Sequence, residues 1–158
     1  MKNVGKAFEQ DFQMSYSKGV FIYRLKDTAS SFTGGKTKFS TNNICDYIAF
    51  NPIANKVLAL ELKSFKGKSM PFANIKPHQL KDMSKAKNEM NIQAYFVVNF
   101  RDLGETYLID VDDLIWYIDN SGRKSLPLDY CQQFAIYLPS ELKRTRYKYH
   151  MEEIFDKL

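Results

Sequence analysis

The chain has 158 residues, 44% of them hydrophobic, with twelve Phe and ten Tyr, which excludes a disordered or low-complexity protein and suits a single domain with a substantial core. A formal net charge of +5 and a pI near 9.1 permit a nucleic-acid partner without demanding one. No apolar run reaches membrane-spanning length and the start, Met1 to Lys6, is polar rather than a leader, so a soluble, cytoplasmic protein without membrane contact is expected. Cys45 and Cys131 lie far apart and His78 and His150 are too few and too separated for a zinc site, which predicts two reduced, structural thiols.

In chain order, Val4, Ala7, Phe8, Phe12 and Met14 fall near helical spacing over residues 3–17, with Asn3 as the N-cap. Glu9, beside Phe8, is either an accessory acid turned toward a site or a solvated helix residue. Gly19 ends the helix and residues 20–25 predict the first strand. Residues 26–43 follow neither period. A loop of that length is either functional or merely solvated, and its Gly34-Gly35 pair, Lys36, Lys38, Phe32 and Phe39 suit an element that touches nucleic acid.

Two apolar runs, residues 44–50 and 56–63, flank Asn51-Pro52-Ile53-Ala54-Asn55 and predict a hairpin. Pairing Asn51 with Lys56 sets Asp46 opposite Glu61 and Ile44 opposite Lys63. Alternation then puts Asp46, Glu61 and Lys63 on one face and Cys45, Tyr47, Ala49, Leu58, Leu60 and Leu62 on the other, as core. Directly opposed residues have Cβ atoms roughly 4.5–5.5 Å apart, so two carboxylates there repel unless a cation sits between them. A hard divalent cation such as Mg2+ fits, since it takes a few carboxylate oxygens and keeps positions for water and phosphate. Lys63, on the same face, is placed to orient water or to stabilise charge developing on phosphorus. Glu-x-Lys alone is common, and an ordinary surface strand is the competing reading.

Residues 64–76 form a basic connection, after which Pro77 opens a helix to about Met90. Leu80, Met83, Ala86 and Met90 are expected in the core, with Lys81, Lys85 and Lys87 outward. Gln79, in the first turn, either aims its amide at the site or caps the helix. From Lys63 to Lys87 seven lysines are opposed by Asp82 alone, so Lys66, Lys68 and Lys76 are candidates for holding a phosphate backbone beside the metal. Residues 92–100 predict a central strand, 105–110 its neighbour, and 111–118 a short helix whose Asp112 and Asp113 suit its N-terminus. Arg123 and Lys124, in a tight turn at 121–125, are further phosphate contacts. Lys143, Arg144, Arg146 and Lys148 alternate with Tyr147 and Tyr149 ahead of a helix through 151–155; this pattern serves nucleic acid or forms a solvated face over packed aromatics.

Asn3-Val4-Gly5 with Phe8-Glu9, Asp46-Tyr47, Glu61-Leu62-Lys63, Pro71-Phe72-Ala73-Asn74-Ile75 with His78-Gln79, and Gly122-Arg123-Lys124-Ser125-Leu126-Pro127-Leu128 occur in order and at sensible spacings. Together they resemble the RecU-type Holliday junction resolvases of Gram-positive bacteria and their phages, a branch of the PD-(D/E)xK nucleases. The resemblance implies an α/β, restriction-endonuclease-like fold with a mixed central β-sheet flanked by helices. It also implies a homodimeric, Mg2+-dependent endonuclease, with Mn2+ as an alternative metal, that nicks opposed strands of four-way DNA junctions. By position, Asp46, Glu61 and Gln79 match the family's metal site and Lys63 its transition-state lysine, while 26–43 stand where the family has a projecting stalk. Three features depart from the family: Ile44-Cys45 replace a usual Thr-Thr, the hairpin turn is slightly longer, and the stalk segment is shorter. The other readings are a duplex endonuclease of the same superfamily and a non-catalytic protein that binds branched DNA.

Overall fold

A computed structural model describes residues 4–15, 18–26 and 43–158. In chain order it contains helix α1 (Val4–Gln13) and strands β1 (Phe21–Arg24), β2 (Tyr47–Asn51), β3 (Lys56–Phe65) and β4 (Ser69–Pro71). A 3-10 turn (Phe72–Asn74), helix α2 (Pro77–Met90), strands β5 (Gln93–Phe100) and β6 (Glu105–Asp110) and helix α3 (Val111–Asn120) follow. The chain then forms strand β7 (Ser125–Pro127), helix α4 (Leu128–Phe134), strands β8 (Ile136–Tyr137), β9 (Ser140–Lys143) and β10 (Arg146–Tyr149), and helix α5 (Glu152–Phe155).

Six strands make one sheet in the order β1-β2-β3-β5-β6-β8, with β3 and β5 parallel and the other neighbours antiparallel. Parallel neighbours need a crossover, and α2 supplies it. The sheet is therefore mixed and flanked by helices, as the family resemblance implies. Both of its faces are covered, which explains why β5 is buried from Ala94 through Phe100 and reads as one apolar run. On one face Phe8 and Phe12 of α1 meet Tyr47, Leu58, Leu60, Leu62, Val97 and Tyr149, and the Phe12 and Tyr47 rings pack edge to face at 5.2 Å. Helices as short as α1 are marginal alone. Fully burying a side chain such as Phe12 contributes about 1.5–3 kcal/mol, and that packing holds the helix. On the other face Ala59, Phe96 and Val98 pack with Met83 of α2 and Leu114 of α3.

Several side chains depart from the periodic reading. Helix α1 stops at Gln13, so Met14 falls outside it and is 68% exposed; Asn3 lies outside the described residues. Met90, expected in the core, ends α2 and is 63% exposed, the next residue being a left-handed C-cap, Asn91 at φ 56°. Lys87 is not simply outward, because it pairs with Asp110 and Asp112 across the α2–α3 contact. Cys45 precedes β2, so the strand's alternation does not reach it, and it packs with Ala59 and Phe96 rather than with Tyr47 and Leu60. Both cysteines are free and buried, and burial pushes each thiol up to about 12, which keeps it protonated and structural. Asp110 caps α3 by accepting from the Asp112 N–H at 2.9 Å, and Asp112 and Asp113 fill its first turn as expected. Among the described residues no helix is long and apolar enough to cross a membrane.

The β9–β10 hairpin docks on the turn between β5 and β6. There Gly104 has φ +66°, and a Cβ on it would lie 3.0 Å from the Tyr147 hydroxyl oxygen. Gly104→Ala therefore combines left-handed strain of about 1–2 kcal/mol with a close approach that makes the end of Tyr147 give by a few tenths of an ångström. The expected result is a thermal midpoint several degrees lower; an unchanged midpoint in a melting experiment would refute this packing.

Candidate active site

The hairpin register is the one read from the sequence: Asn51 pairs with Lys56 and Tyr47 with Leu60. Asn51 closes the loop by accepting from the N–H groups of Ile53 and Ala54 at 2.9 and 3.1 Å, an Asx-type turn. Just ahead of β2, the Asp46 N–H donates to the Leu60 carbonyl at 3.0 Å, and Asp46 Oδ2 accepts from the Leu62 N–H at 2.8 Å. These two bonds hold Asp46 against the middle of β3, beside Glu61. Leu60 and Leu62 face the α1 layer, so Glu61 and Lys63 face the layer containing α2.

Gln79 arrives from the third residue of α2. Its Oε1 accepts from the Lys76 N–H at 3.1 Å, which caps the helix, and from Lys63 Nζ at 3.3 Å. Its Nε2 donates to Glu61 Oε1, and Lys63 Nζ donates to that same oxygen at 2.9 Å. Gln79 thus serves both roles left open by the sequence: it caps α2 and locks Glu61. Among the described residues nothing donates to Glu61 Oε2, because both bonds converge on Oε1.

Glu61 is 3% exposed. Its carboxyl is pushed up to about 7, first by burial and next by the charge of Asp46, while Lys63 and the hydrogen bonds from Lys63 and Gln79 pull it down. The Lys63 ammonium thus offsets only part of what burial and the Asp46 charge do to Glu61. Among the described residues no group of three His, Cys, Asp or Glu side chains gathers to hold a metal ion. The donors at this position are the oxygens of two carboxylates and, on giving up its long Lys63 hydrogen bond, one amide, a hard oxygen set. It fits Mg2+, which keeps several waters and takes one or two carboxylates, better than it fits zinc.

A second, two-stranded sheet positions α2. Strands β4 and β7 pair with Met70 opposite Leu126; the Phe72 N–H donates to the Lys124 carbonyl at 3.0 Å and the Leu128 N–H to the Lys68 carbonyl at 2.9 Å. This ribbon sets the Arg123-Lys124 turn beside the segment leading into Gln79, and Lys66, Lys68, Lys76, Arg123 and Lys124 are all exposed. Sequence reasoning missed the ribbon because each strand has three residues and ends in proline. The available signal was the matched pattern of Ser69-Met70-Pro71 and Ser125-Leu126-Pro127.

Glu9 is not brought into the Glu61 cluster: Arg24 Nη2 holds its carboxylate at 2.7 Å, on a helix packed against the other sheet face. Lys36 and Lys38, with residues 27–42 as a whole, lie outside the described residues.

An aspartate entering one strand, with Glu-x-Lys on its antiparallel neighbour in a mixed sheet, is the residue pattern of the PD-(D/E)xK class. A family profile, Recombination protein U, matches residues 19–151, and the chain belongs to the RecU family. It is 42% identical over 66 residues to the Holliday junction resolvase RecU of Streptococcus thermophilus (strain CNRZ 1066), a match spanning 41% of this chain and 33% of that protein. It is 34% identical over 77 residues to the Holliday junction resolvase RecU of Streptococcus pneumoniae (strain ATCC BAA-255 / R6), over 48% of this chain and 38% of that protein. These matches thus cover less than half the length of either relative. Among solved structures, that of Archaeoglobus fulgidus Hjc, a Holliday junction resolvase, superposes with a TM-score of 0.49 at 13% identity, over 75% of this chain and 83% of that one.

Proposed function

We propose that residues 1–158 act as one nuclease domain, a Mg2+-dependent, structure-selective DNA endonuclease that nicks opposed strands of four-way junctions as a homodimer in the cytoplasm. The observation that carries this reading is the Asp46–Glu61–Lys63–Gln79 cluster, in which a buried carboxylate raised to about 7 sits beside a second carboxylate. Membership of the RecU family supports it, as does the name of the Streptococcus relatives, Holliday junction resolvase.

Asp46, Glu61 and the Gln79 amide oxygen would hold the metal, with Mn2+ able to replace Mg2+; once bound, the metal supplies Lewis-acid stabilisation of phosphate and activation of water. Asp46 stays in place through the Leu62 N–H. Lys63, fixed by Glu61 and Gln79, presents an ammonium where charge develops on the scissile phosphate. Lys66, Lys68, Lys76, Arg123 and Lys124 hold the backbone on either side.

The test is a labelled four-way junction incubated with the protein, with and without Mg2+, beside a linear duplex of the same sequence. Symmetric nicks on the junction alone, and only with metal, are expected. Equal cutting of the duplex would leave the site standing and overturn the substrate. Binding without nicking would move the protein to the non-catalytic reading.

A further inference from the structure

The basic hairpin near the C-terminus takes no part in the site above. Strands β9 and β10 pair with Lys143 opposite Arg146, Leu142 opposite Tyr147, Glu141 opposite Lys148 and Ser140 opposite Tyr149. One side of this hairpin is fixed to the body of the protein. The Tyr149 ring meets Phe8 edge to face at 5.5 Å, the Tyr147 N–H donates to Asp11 Oδ2 at 3.1 Å, and the Tyr149 N–H donates to Ser15 Oγ at 2.8 Å. By alternation the other side carries Lys143, Arg146, Lys148 and Glu141, with Arg144 at the tip.

That side has an electrostatic imbalance. Lys143 and Arg146 are directly opposed like charges, which destabilise a hairpin. Glu141 pairs with Lys143 at 2.9 Å, and Arg146 Nη1 donates to the sulfur of Met14. Among the described residues no carboxylate lies within ion-pair distance of Arg144, Arg146 or Lys148, and all three are exposed. Arg144 also sits at φ 53°, a left-handed position that a residue without a local polar side chain rarely adopts. This side carries four cations, Lys143, Arg144, Arg146 and Lys148, against the single carboxylate of Glu141, and a surface with that excess, held to the body by its other side, is preorganised for a polyanion.

The hairpin shares its core cluster with Tyr47, Leu60 and α1, so it lies across the sheet from Glu61 and Lys63. We infer that Arg144, Arg146 and Lys148 form a second DNA-binding surface, which grips the phosphate backbone of a duplex segment other than the one carrying the cleaved phosphate. This rests on the proposed action on branched DNA, whose arms leave the branch point in several directions and reach surfaces that a single straight duplex does not.

The experiment measures the salt dependence of four-way-junction binding for the wild type, for Arg144→Gly, and for a triple variant, Arg144→Gly with Arg146→Gln and Lys148→Gln. Removing one cation that neutralises a phosphate lowers the log–log slope by about 0.9, so a fall of about 0.9 is expected for the single variant and roughly 2–3 for the triple. Glycine relieves the left-handed backbone at residue 144, so Arg144→Gly keeps or raises the melting midpoint, and a weaker slope in that variant is not a folding defect. Slopes equal to wild type in both variants overturn the inference and leave the proposed function untouched. A wild type without salt-dependent junction binding overturns both.

Discussion

Glu61→Gln is expected to abolish metal-dependent nicking of a four-way junction while leaving junction binding within a few-fold of wild type. Losing several kcal/mol of charge stabilisation at the reacting phosphate corresponds to about 10³-fold or more in rate. The same substitution carries an independent signature in stability. In the folded, metal-free protein the Glu61 carboxyl titrates at about 7 against an ordinary value of 4.5, so between those values the native state holds more protons than the unfolded one. Stability from this group is therefore complete below about 4.5 and is lost as pH rises through about 7. At about 1.4 kcal/mol per unit, this amounts to a few kcal/mol. Urea denaturation in chelator, at roughly pH 5 and pH 8, is expected to show the wild type losing ground to Glu61→Gln at the higher pH. The difference between the two proteins isolates Glu61 from the other titrating groups. Equal pH dependence in both would show that Glu61 is not the buried, raised carboxyl described above.

Lys63→Ala is expected to slow single-turnover nicking by about 10²–10³-fold, the usual loss when one preorganised charge donor is removed from a reacting centre. It should also move the pH–rate profile. Lys63 lowers the Glu61 carboxyl through its charge and its hydrogen bond, so without it the alkaline form of Glu61 appears only at higher pH and the rising limb shifts that way. A uniform drop in rate with an unmoved limb would mean that Lys63 acts on the phosphate alone and does not set the state of Glu61.

The central part of this site could be read from residue order because a hairpin is a local object. The Asn51–Asn55 turn fixes the register, the register fixes which residues oppose, and the two-residue period fixes which face they take. That chain of inference reaches Asp46, Glu61 and Lys63, but it fails for Cys45, two residues beyond the strand pairing that begins at Tyr47. Gln79 was legible as a position and not as an orientation: whether an amide in a first helical turn points at its own cap or at a neighbouring strand depends on where that strand lies. Here it does both. The periodic reading of α2 placed Met83 and Ala86 correctly and Met90 wrongly, because a helix outruns the layer it packs against without any change in its sequence period. Strands β9 and β10 were hidden for another reason. The four residues of β10 are Arg, Tyr, Lys and Tyr, so one side is covered through aromatic rings while the charges dominate the pattern, and the four of β9 include a single apolar residue, Leu142.

The β4–β7 ribbon has a consequence for the order in which the protein is built. It ties Met70 to Leu126, so the entry to α2, and with it Gln79, is clamped by a segment that leaves the ribosome much later than the hairpin holding Asp46, Glu61 and Lys63. Closing so long a loop is slow compared with forming a hairpin. The amide that locks Glu61 is therefore expected to be set in place only once residues 125–127 have paired with 69–71, after the local contacts of the hairpin have become possible.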